Sequence, residues 1–380
     1  MRSSFGKNLK ISIWGGSHEP AIGVDIEGLP VGTKINMDEL QTFMDRRAPG
    51  NSPFATKRKE PDQPVPVVGL EPKASVGNIM VVTGDKVSFE IRNTDTRSGD
   101  YKSLRTVPRP GHADYTARIR YGDSLNMAGG GPFSARMTAP LCIAGGIAIQ
   151  MLRKQDIMIG AHIYSIGNIK DIPFEPVNIT GFMSDEAQKT APEVFDRLKT
   201  MVLSVLDEDA GEKMKALINE ARMNLDSVGG IVEAAVIGLP AGIGGAMYDG
   251  LESALAPILF GIPAVKGVEF GAGFGAAELK GSENNDPFYY ENDVVKTRTN
   301  NHGGILGGIT TSMPLITRIA FKPTPSISRE QDSVDLESKE NTKLVIKGRH
   351  DPCVVVRAVP IVEAALALGI LDCIMEVNND

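Results

Sequence analysis

Residues 360–375 read PIVEAALALGILDCIM, and residues 135–153 read ARMTAPLCIAGGIAIQMLR. Both segments are apolar on nearly every side, which is typical of helices that are buried on several faces. They are therefore predicted to be core helices. Strand-like segments surround them in the sequence, so we expect an α+β fold in which antiparallel sheets pack over a helical centre, rather than a regular βαβ repeat.

Short segments that alternate in polarity or are rich in β-branched residues predict the strands. They are Leu9–Trp14, Ile22–Ile26, Ile79–Val82, Val87–Ile91, Met158–Ile166, Ile231–Ile237 and Ile316–Phe321. Several are joined by short links, which favours antiparallel pairing. Amphipathic helices are predicted over Met37–Arg46, after a capping Asn36, and over Glu193–Leu206.

The chain of 380 residues, 42% hydrophobic and 23% charged, is long enough to bury a large core. Its length alone would allow two domains. No Ser/Pro/Gly-rich linker, charge block or low-complexity stretch marks a boundary, so we expect one domain over residues 1–380. The segment near residues 184–224 is amphipathic and charged, and we interpret it as a helical excursion on the surface of that domain.

Composition excludes several classes of protein. The net charge of -7 argues against a nucleic-acid surface, which needs a basic excess. The cysteines Cys142, Cys353 and Cys373 are widely spaced, which fits a reducing compartment and predicts no metal site. The amino terminus lacks a signal-peptide pattern, and the longest apolar runs, Ala139–Met151 and Ala254–Val265, are shorter than the roughly 20 residues that span a bilayer. We expect a soluble cytoplasmic protein with no membrane partner.

The histidines indicate where chemistry concentrates. Four of the five lie in loops rich in Gly or Pro: His18 in GGSHEP, His112 in RPGHAD, His302 in NNHGGILGG and His350 in GRHDPC. Such loops leave room for a ligand, and an imidazole exchanges protons near neutrality. Each of the four could equally be an ordinary turn histidine, but the set favours an active site. His162, in IGAHIYSI, is interpreted as structural.

Arginines beside Gly, Pro or His accompany these histidines, namely Arg47, Arg109, Arg136 and Arg349. Guanidinium groups bind phosphate and carboxylate through paired hydrogen bonds, and glycine lets the backbone approach an anion closely. Ser134 opens a helix directly after a triple glycine, so the amino end of that helix could face a phosphate; a plain serine cap is the alternative. The pattern predicts a site for an anionic, phosphorylated small molecule.

One further motif is weak. Residues 269–276, EFGAGFGA, contain a G-x-G-x-x-A pattern, but no βαβ context or suitably placed acid accompanies it, so a dinucleotide fold is not expected. The chain has no Walker loop either, so ATP chemistry is not indicated.

A series of motifs, in order and over nearly the whole chain, resembles those of the chorismate synthase family. They are GGSHEPAIGVDIEGLP, DRRAPG, RPGHADYTARIRYG, GGGPFSARMT, DSVGGIVE, PAVKGVEFGAGF, HGGILGGIT, KPTPSI and GRHDPCVVVRAVPIVEA. The resemblance implies conversion of 5-enolpyruvylshikimate 3-phosphate to chorismate by anti-1,4-elimination of phosphate. It also implies a need for reduced FMN without net redox change, a homotetramer of βαβ sandwich subunits, and the closing step of the common pathway to aromatic amino acids.

The resemblance also implies roles for individual residues. The substrate, with one phosphate and two carboxylates, would be bound by Arg47, Arg109, Arg136 and Arg349. His18 would be the acid or hydrogen-bond donor beside the leaving phosphate, His112 would protonate the reduced flavin, and Asp351 would assist proton removal. The FMN site would be lined by Ser134, Gly307, Lys322, Pro323, Thr324, Pro325, Ser326 and Arg349.

Some positions depart from the family pattern. The first motif usually has glutamate before the serine and glycine after the histidine, whereas Gly16 and Glu19 stand at those places here. The other departures are Pro53, Pro132, Phe133 and Met137. The main hypothesis is a working enzyme that receives reduced FMN from a separate reductase. The alternatives are a protein of the same fold that binds without turnover, and an enzyme that also reduces its own flavin with NADPH.

Overall fold

The computed structural model describes residues 2–50, 54, 60–73, 77–94, 106–174, 191–346 and 351–377. In chain order the helices are α1 (Met37–Arg47), α2 (Asp114–Tyr121), α3 (Thr138–Arg153), α4 (Ala191–Thr200), α5 (Glu208–Met223), α6 (Leu251–Phe260), α7 (Gly281–Asn284) and α8 (Val355–Val377). The strands are β1 (Arg2–Phe5), β2 (Lys10–Gly15), β3 (Ala21–Glu27), β4 (Lys34–Asn36), β5 (Val65–Val68), β6 (Leu70–Pro72), β7 (Ile79–Val82), β8 (Lys86–Arg92), β9 (Met158–Ile166), β10 (Ile169–Lys170), β11 (Gly230–Ile237), β12 (Val265–Phe270), β13 (Phe288–Glu291), β14 (Val294–Thr297), β15 (Ile305–Leu306), β16 (Ile309–Thr310), β17 (Leu315–Phe321), β18 (Gln331–Asp335) and β19 (Glu340–Leu344).

Two five-stranded antiparallel sheets form the outer layers of the fold. The first has the strand order β1-β2-β3-β8-β5, and the second has the order β10-β9-β11-β17-β12. The register places Val24 opposite Phe89 in the first sheet, and Val232 opposite Ile319 in the second. All four side chains are buried, so each sheet turns an apolar face to the interior.

The helices α3 and α8 pack against each other between the two sheets. A Cβ on Gly145 of α3 would lie 2.3 Å from the Cβ of Ala364 on α8, so the glycine permits the close approach of the two helices. One apolar cluster runs through both helices and the inner faces of both sheets. The predicted α+β fold, a sandwich of antiparallel sheets around a helical core, is confirmed. The single domain over residues 1–380 stays a prediction.

The elements agree closely with the sequence patterns. Every predicted strand is present, and no end differs from its prediction by more than about one residue. α1 begins after Asn36, whose side chain accepts the backbone N–H groups of Asp38 and Glu39. The core helix predicted from residue 135 starts as a 3-10 turn over Ala135–Met137, and the other core helix begins earlier than predicted, at Val355.

The helix predicted over Glu193–Leu206 is too long. α4 ends at Thr200, because the chain turns there and Oγ of Ser204 donates to the carbonyl oxygen of Leu198 at 2.9 Å. α5 then starts after a separate cap, Asp207. An apolar face had suggested one continuous helix, but part of that face belongs to the turn.

The helical excursion predicted near residues 184–224 corresponds to α4 and α5, and residues 184–190 lie outside the described residues. α4 packs closely on the second sheet: a Cβ on Gly160 of β9 would lie 2.1 Å from Cδ1 of Phe195. The described part of this segment therefore covers a face of the sheet.

Two helical segments, Ala135–Arg153 and Val355–Val377, are long and apolar enough to cross a membrane by length and composition alone. Both exceed the apolar runs identified in the sequence. Their most apolar windows are 78% and 94% buried inside the protein, so the structure uses them as core helices.

Candidate active site

The amino ends of α2, α3 and α8 meet the segment after β17 around a cavity of about 320 Å³. This volume is in the range of small-molecule sites. The cavity is lined by many of the residues predicted from the sequence: Arg47, Arg109, His112, Ser134, Arg136, Lys322, Thr324, Pro325, Ser326 and Asp351. Its lining also includes Glu60 and Arg357, so the fold brings acidic and basic groups from distant parts of the chain together.

Three consecutive glycines form part of the cavity wall and its support. Gly129, Gly130 and Gly131 have φ values of 62°, 94° and 51°, which other residues adopt only with strain. A Cβ on Gly129 would lie 2.1 Å from Cε1 of His18, and a Cβ on Gly130 would lie 3.1 Å from Nε2 of His112. The glycines therefore allow two of the predicted histidines to approach the same loop.

Ser134 caps the helical segment that follows these glycines. Its backbone is extended, and its Oγ accepts the backbone N–H of Arg136 at 3.3 Å, at the start of the 3-10 turn that leads into α3. Ser134, Ala135 and Arg136 all line the cavity. The two interpretations of Ser134 are thus compatible, because the serine is a cap and the helical segment begins at the cavity.

A buried carboxylate joins two of the predicted arginines. Nη1 of Arg47 and Nη1 of Arg136 both donate to Asp62, which is fully buried. Burial raises the pKa of Asp62, but the two guanidinium groups more than offset this and hold the pKa below its ordinary value. Nη2 of Arg136 is buried and, among the described residues, has no hydrogen-bond partner; Oε2 of Glu60 lies 3.7 Å away. A bound anion would satisfy this donor.

A second carboxylate, Asp114 at the start of α2, organises Arg109 and His112. Nε and Nη2 of Arg109 donate to the two oxygens of Asp114, each at 2.7 Å. Nδ1 of His112 lies 2.8 Å from Oδ1 of the same carboxylate. Nη1 of Arg109 donates to Oγ of Ser326 at 3.1 Å, which links the loop before α2 to the segment after β17.

Residues 322–326, after β17, all line the cavity except Pro323, which packs against the residues before β11. Nζ of Lys322 donates to the carbonyl oxygen of Gly111 at 3.0 Å. Burial lowers the pKa of Lys322, and the neighbouring Lys266 lowers it further. An anion beside Lys322 would favour its charged form.

Asp351 lies just before α8 and pairs with an arginine of that helix. Nη1 of Arg357 donates to Oδ2 of Asp351 at 2.9 Å, and Nε donates to the backbone carbonyl oxygen of Arg47 at 3.0 Å. Burial holds the pKa of Arg357 below its ordinary value, although Asp351 raises it. Arg357 therefore connects two predicted site residues and adds a positive charge to the cavity.

Other predicted residues lie elsewhere. His18 does not line the cavity; it sits behind the glycine loop, with Nδ1 at 3.0 Å from Oγ of Ser17. Gly307 lies in the hairpin of β15 and β16, away from the cavity lining. Arg349 and Pro53 fall outside the described residues.

The remaining described histidines, His162 and His302, are not part of the cavity lining. Nδ1 of His302 accepts a backbone N–H of its own loop at 2.8 Å, so this histidine supports a turn. His162 is fully buried between Asp171 and Glu233, which agrees with the structural role expected for it. His350 falls outside the described residues. Within the ranges that the structure covers, no group of three or more His, Cys, Asp or Glu residues is arranged to hold a metal ion.

The departures from the family pattern take distinct positions. A Cβ on Gly16 would lie 3.2 Å from Oε1 of Glu19, so the Glu19 carboxylate occupies the space beside position 16. Phe133 lines the cavity, Pro132 lies in the 3-10 segment that carries the glycines, and Met137 is buried.

The sequence patterns did not indicate Asp62, Asp114 and Arg357, which hold predicted residues in place, or Glu60, which lines the cavity 3.7 Å from Arg136. Asp114 had a signal, since it follows His112 by two positions in a motif already recognised. No signal in the sequence indicated the acidic residues at positions 60 and 62, because a buried carboxylate that pairs with an arginine leaves no spacing pattern.

The glycine-rich segment at residues 269–276 contains no dinucleotide fold. β12 pairs antiparallel with β17 at the edge of the second sheet, and the chain continues into a 3-10 turn over Gly273–Glu278. A parallel βαβ unit, which that fold requires, is therefore not formed here.

Known proteins are similar to this chain over almost its full length. The family model for chorismate synthase matches residues 9–375. The chorismate synthase of Lancefieldella parvula is 46% identical over 375 residues, which cover 98% of this chain and 96% of that protein. That of Korarchaeum cryptofilum is 41% identical over 371 residues, covering 98% and 97%. A crystal structure of chorismate synthase, at 23% identity, has a TM-score of 0.73 over 98% of this chain and 93% of its own, which bears on the fold.

Proposed function

The chain belongs to the chorismate synthase family, a family of lyases acting on phosphates in the shikimate pathway, and from this premise we propose that the cavity is its active site. The proposed reaction is the anti-1,4-elimination of phosphate from 5-enolpyruvylshikimate 3-phosphate to give chorismate. Its substrate is multiply anionic, so the site must supply several fixed positive groups.

The observation that carries the proposal is the state of Arg136. Its Nη2 is buried at a cavity and has no hydrogen-bond partner in the described part of the chain. Such a donor is costly to leave unpaired, and a phosphate or carboxylate oxygen would satisfy it. Basic side chains surround the same space: Arg47, Arg109, Arg136, Lys322 and Arg357. Arg349 is proposed as a further substrate contact from the resemblance alone.

The residues of the cavity also fit a reduced FMN. Its polar lining offers hydrogen-bond donors at Ser134, Lys322, Thr324 and Ser326, and Phe133 and Pro325 offer apolar surface for a flat ring. When bound, the reduced flavin supplies an electron-rich ring that promotes loss of phosphate without net redox change. Pro323, Gly307 and Arg349 are proposed contacts that rest on the resemblance.

The side chains near the glycine loop are proposed to manage protons. His18 holds a proton for the departing phosphate from its position against Gly129, and His112 exchanges a proton with the cavity at Nε2, beside Gly130. Asp351 accepts a proton, and Arg357 orients its carboxylate through the 2.9 Å hydrogen bond.

We further propose that a separate reductase supplies the reduced flavin. Use of NADPH by this chain has little support, because the glycine-rich segment at residues 269–276 belongs to an antiparallel edge strand and a 3-10 turn. Bleaching of bound FMN by NADPH alone, under anaerobic conditions, would support the self-reducing alternative.

A homotetramer is proposed for the assembled enzyme, in the cytoplasm. Large apolar side chains are exposed along one part of the chain: Met247, Tyr248, Phe274, Phe288 and Tyr290. In the hairpin of β13 and β14, Tyr290 lies opposite Val295, so apolar groups are adjacent on its surface. Exposed groups of this kind favour association between subunits. Light scattering on the purified protein measures the number of subunits.

The central test is an anaerobic assay with chemically reduced FMN and 5-enolpyruvylshikimate 3-phosphate. We expect stoichiometric release of phosphate and chorismate. Binding of flavin and substrate without turnover would instead indicate the alternative, a protein of the same fold that binds these ligands but does not catalyse the reaction. The absence of both binding and turnover would refute the proposed site.

A further inference from the structure

We propose that Asp114 is a positioning residue that holds the proton on Nδ1 of His112, so that Nε2 is the nitrogen that exchanges protons with the cavity. The catalytic consequence rests on the function proposed above. The position of the proton is a property of this chain alone, so it can be tested whether or not that function is correct.

The geometry gives the two ring nitrogens of His112 different surroundings. Nδ1 lies 2.8 Å from Oδ1 of Asp114, at the start of α2. The opposite edge of the ring faces the glycine loop, where a Cβ on Gly130 would lie 3.1 Å from Nε2 and 3.5 Å from Cβ of Ser134. Ser134 and His112 both line the cavity. One nitrogen is therefore fixed by the protein, and the other is directed towards the cavity wall.

A competing arrangement must be weighed, because Nη2 of Arg109 lies 3.0 Å from the same Nδ1. Nδ1 cannot accept from Arg109 and donate to Asp114 at once. An ionised carboxylate only accepts hydrogen bonds, so a lone pair on Nδ1 would face a second acceptor at 2.8 Å. Arg109 does not need the imidazole as an acceptor, since Nη2 already donates to Oδ1 of Asp114 at 2.7 Å. The arrangement with Nδ1–H on Asp114 is favoured.

The Asp114 carboxyl group is ionised at neutral pH. Burial raises its pKa, but hydrogen bonds from Arg109 and His112 more than offset this and hold the pKa well below the ordinary value. Among the described residues, the basic groups next to His112 are Arg109 and Lys322, which contacts the preceding Gly111, and His18 lies across the glycine loop. Against these basic groups, Asp114 is an acidic partner in contact with the imidazole.

The first test needs neither substrate nor flavin. Protein labelled with nitrogen-15 in its histidines reports the tautomer of each neutral imidazole by NMR, and a His112→Gln variant assigns the signal. We expect the neutral ring of His112 to carry its proton on Nδ1. A neutral ring protonated on Nε2 would mean that Nδ1 accepts from Arg109, and would overturn the proposal.

The second test uses Asp114→Asn in the assay with reduced FMN. We expect kcat to fall by about a hundredfold or more, as when the carboxylate behind a catalytic histidine is replaced, and KM to rise as well, because Asp114 also holds Arg109. His112 must be protonated to act as an acid. Without the negative charge of Asp114 beside it, the ring should lose its proton at lower pH. The alkaline limb of the kcat profile should therefore move to lower pH.

Asp372→Asn is the matched control. This carboxylate is also buried, but it lies on α8 and accepts the backbone N–H groups of Lys7, Asn8 and Leu9. Its replacement should lower stability and leave the pH profile of kcat in place. An unchanged profile in folded Asp114→Asn overturns the proposal. If Asp114→Asn does not fold, the tautomer of His112 measured in the wild-type protein decides whether the proposal holds. A wild-type protein that shows no turnover would contradict the proposed function and leave the tautomer test unaffected.

Discussion

Two buried clusters in this molecule contain the same kinds of charged side chain but differ in how completely these are paired. Around His162, Nδ1 lies 2.9 Å from Asp171 and Nε2 lies 3.0 Å from Glu233. Nε of Arg318 donates to the other oxygen of Glu233 at 2.8 Å. At the cavity, by contrast, Nη2 of Arg136 has no hydrogen-bond partner among the residues the structure describes.

The difference separates a structural cluster from a binding site. Buried polar groups are nearly always satisfied, so a cluster whose donors and acceptors match, as around His162, needs no ligand. Burial and charge are common to both clusters. The cluster at the cavity differs in that Nη2 of Arg136 lacks a hydrogen-bond partner among the described residues, which a ligand could supply.

The largest effect that tests this comparison is expected from Arg136→Met. Loss of a fixed donor to the anionic substrate should lower kcat/KM by about a thousandfold. Stability should suffer less, because Asp62 keeps its hydrogen bond from Arg47. Steady-state kinetics and urea denaturation measure the two effects.

A matched control lies further along the same helical segment. Arg153 is half exposed and pairs with Glu39 at the surface. Arg153→Met should leave kcat/KM unchanged, since exposed ion pairs contribute little. Equal losses of activity in the two variants would contradict the assignment of Arg136 to substrate binding.

A smaller effect is expected from His18→Ala. Loss of a proton donor to the leaving phosphate should lower kcat by about a hundredfold, whereas binding of reduced FMN should stay near that of the wild type. Single-turnover kinetics and a flavin fluorescence titration measure the two quantities. Because His18 lies behind Gly129 and not in the cavity lining, wild-type turnover would remove it from the mechanism.

The comparison also shows what the sequence could predict. Apolar periodicity predicted the layers of the fold, because burial acts on every residue of a strand or helix. Histidines and arginines in glycine-rich loops predicted Arg47, Arg109, His112 and Arg136 of the cavity lining, because a loop that approaches a ligand needs glycine. The ordered motifs predicted the family.

Long-range pairing was beyond the sequence. Asp62 contacts Arg136, and Arg357 contacts the backbone of Arg47, although these partners are remote along the chain. The packing of α1 against α8 brings Arg47 and Arg357 together, and the segment that carries Asp62 folds back onto the start of α3. The end of α4 was also missed, since an apolar face continues past Thr200 into a turn.

The smallest effect on activity is expected from His162→Gln. Glutamine cannot carry the charge that the ring shares with Asp171 and Glu233, so the two buried carboxylates lose the positive charge between them, although each keeps its other hydrogen bonds. The free energy of unfolding should fall by about 3 kcal/mol. Turnover per folded molecule should be unchanged, because this cluster lies outside the cavity lining. Urea denaturation and the enzyme assay measure these quantities. A loss of turnover without a loss of stability would show that the His162 cluster serves catalysis and not the fold.

The pH dependence of that stability sharpens the contrast. Burial lowers the pKa of His162, but hydrogen bonds to Asp171 and Glu233 more than offset this and raise it above the ordinary 6.5. Below pH 6.5 the His162 ring is charged in both the folded and the unfolded chain, so its full contribution to the free energy of unfolding is present. That contribution is lost as the pH rises through the raised pKa of the folded state. The gap in unfolding free energy between wild type and His162→Gln should therefore stay constant below that pH and narrow above it. A gap that does not change with pH would mean that the two carboxylates hold a neutral ring.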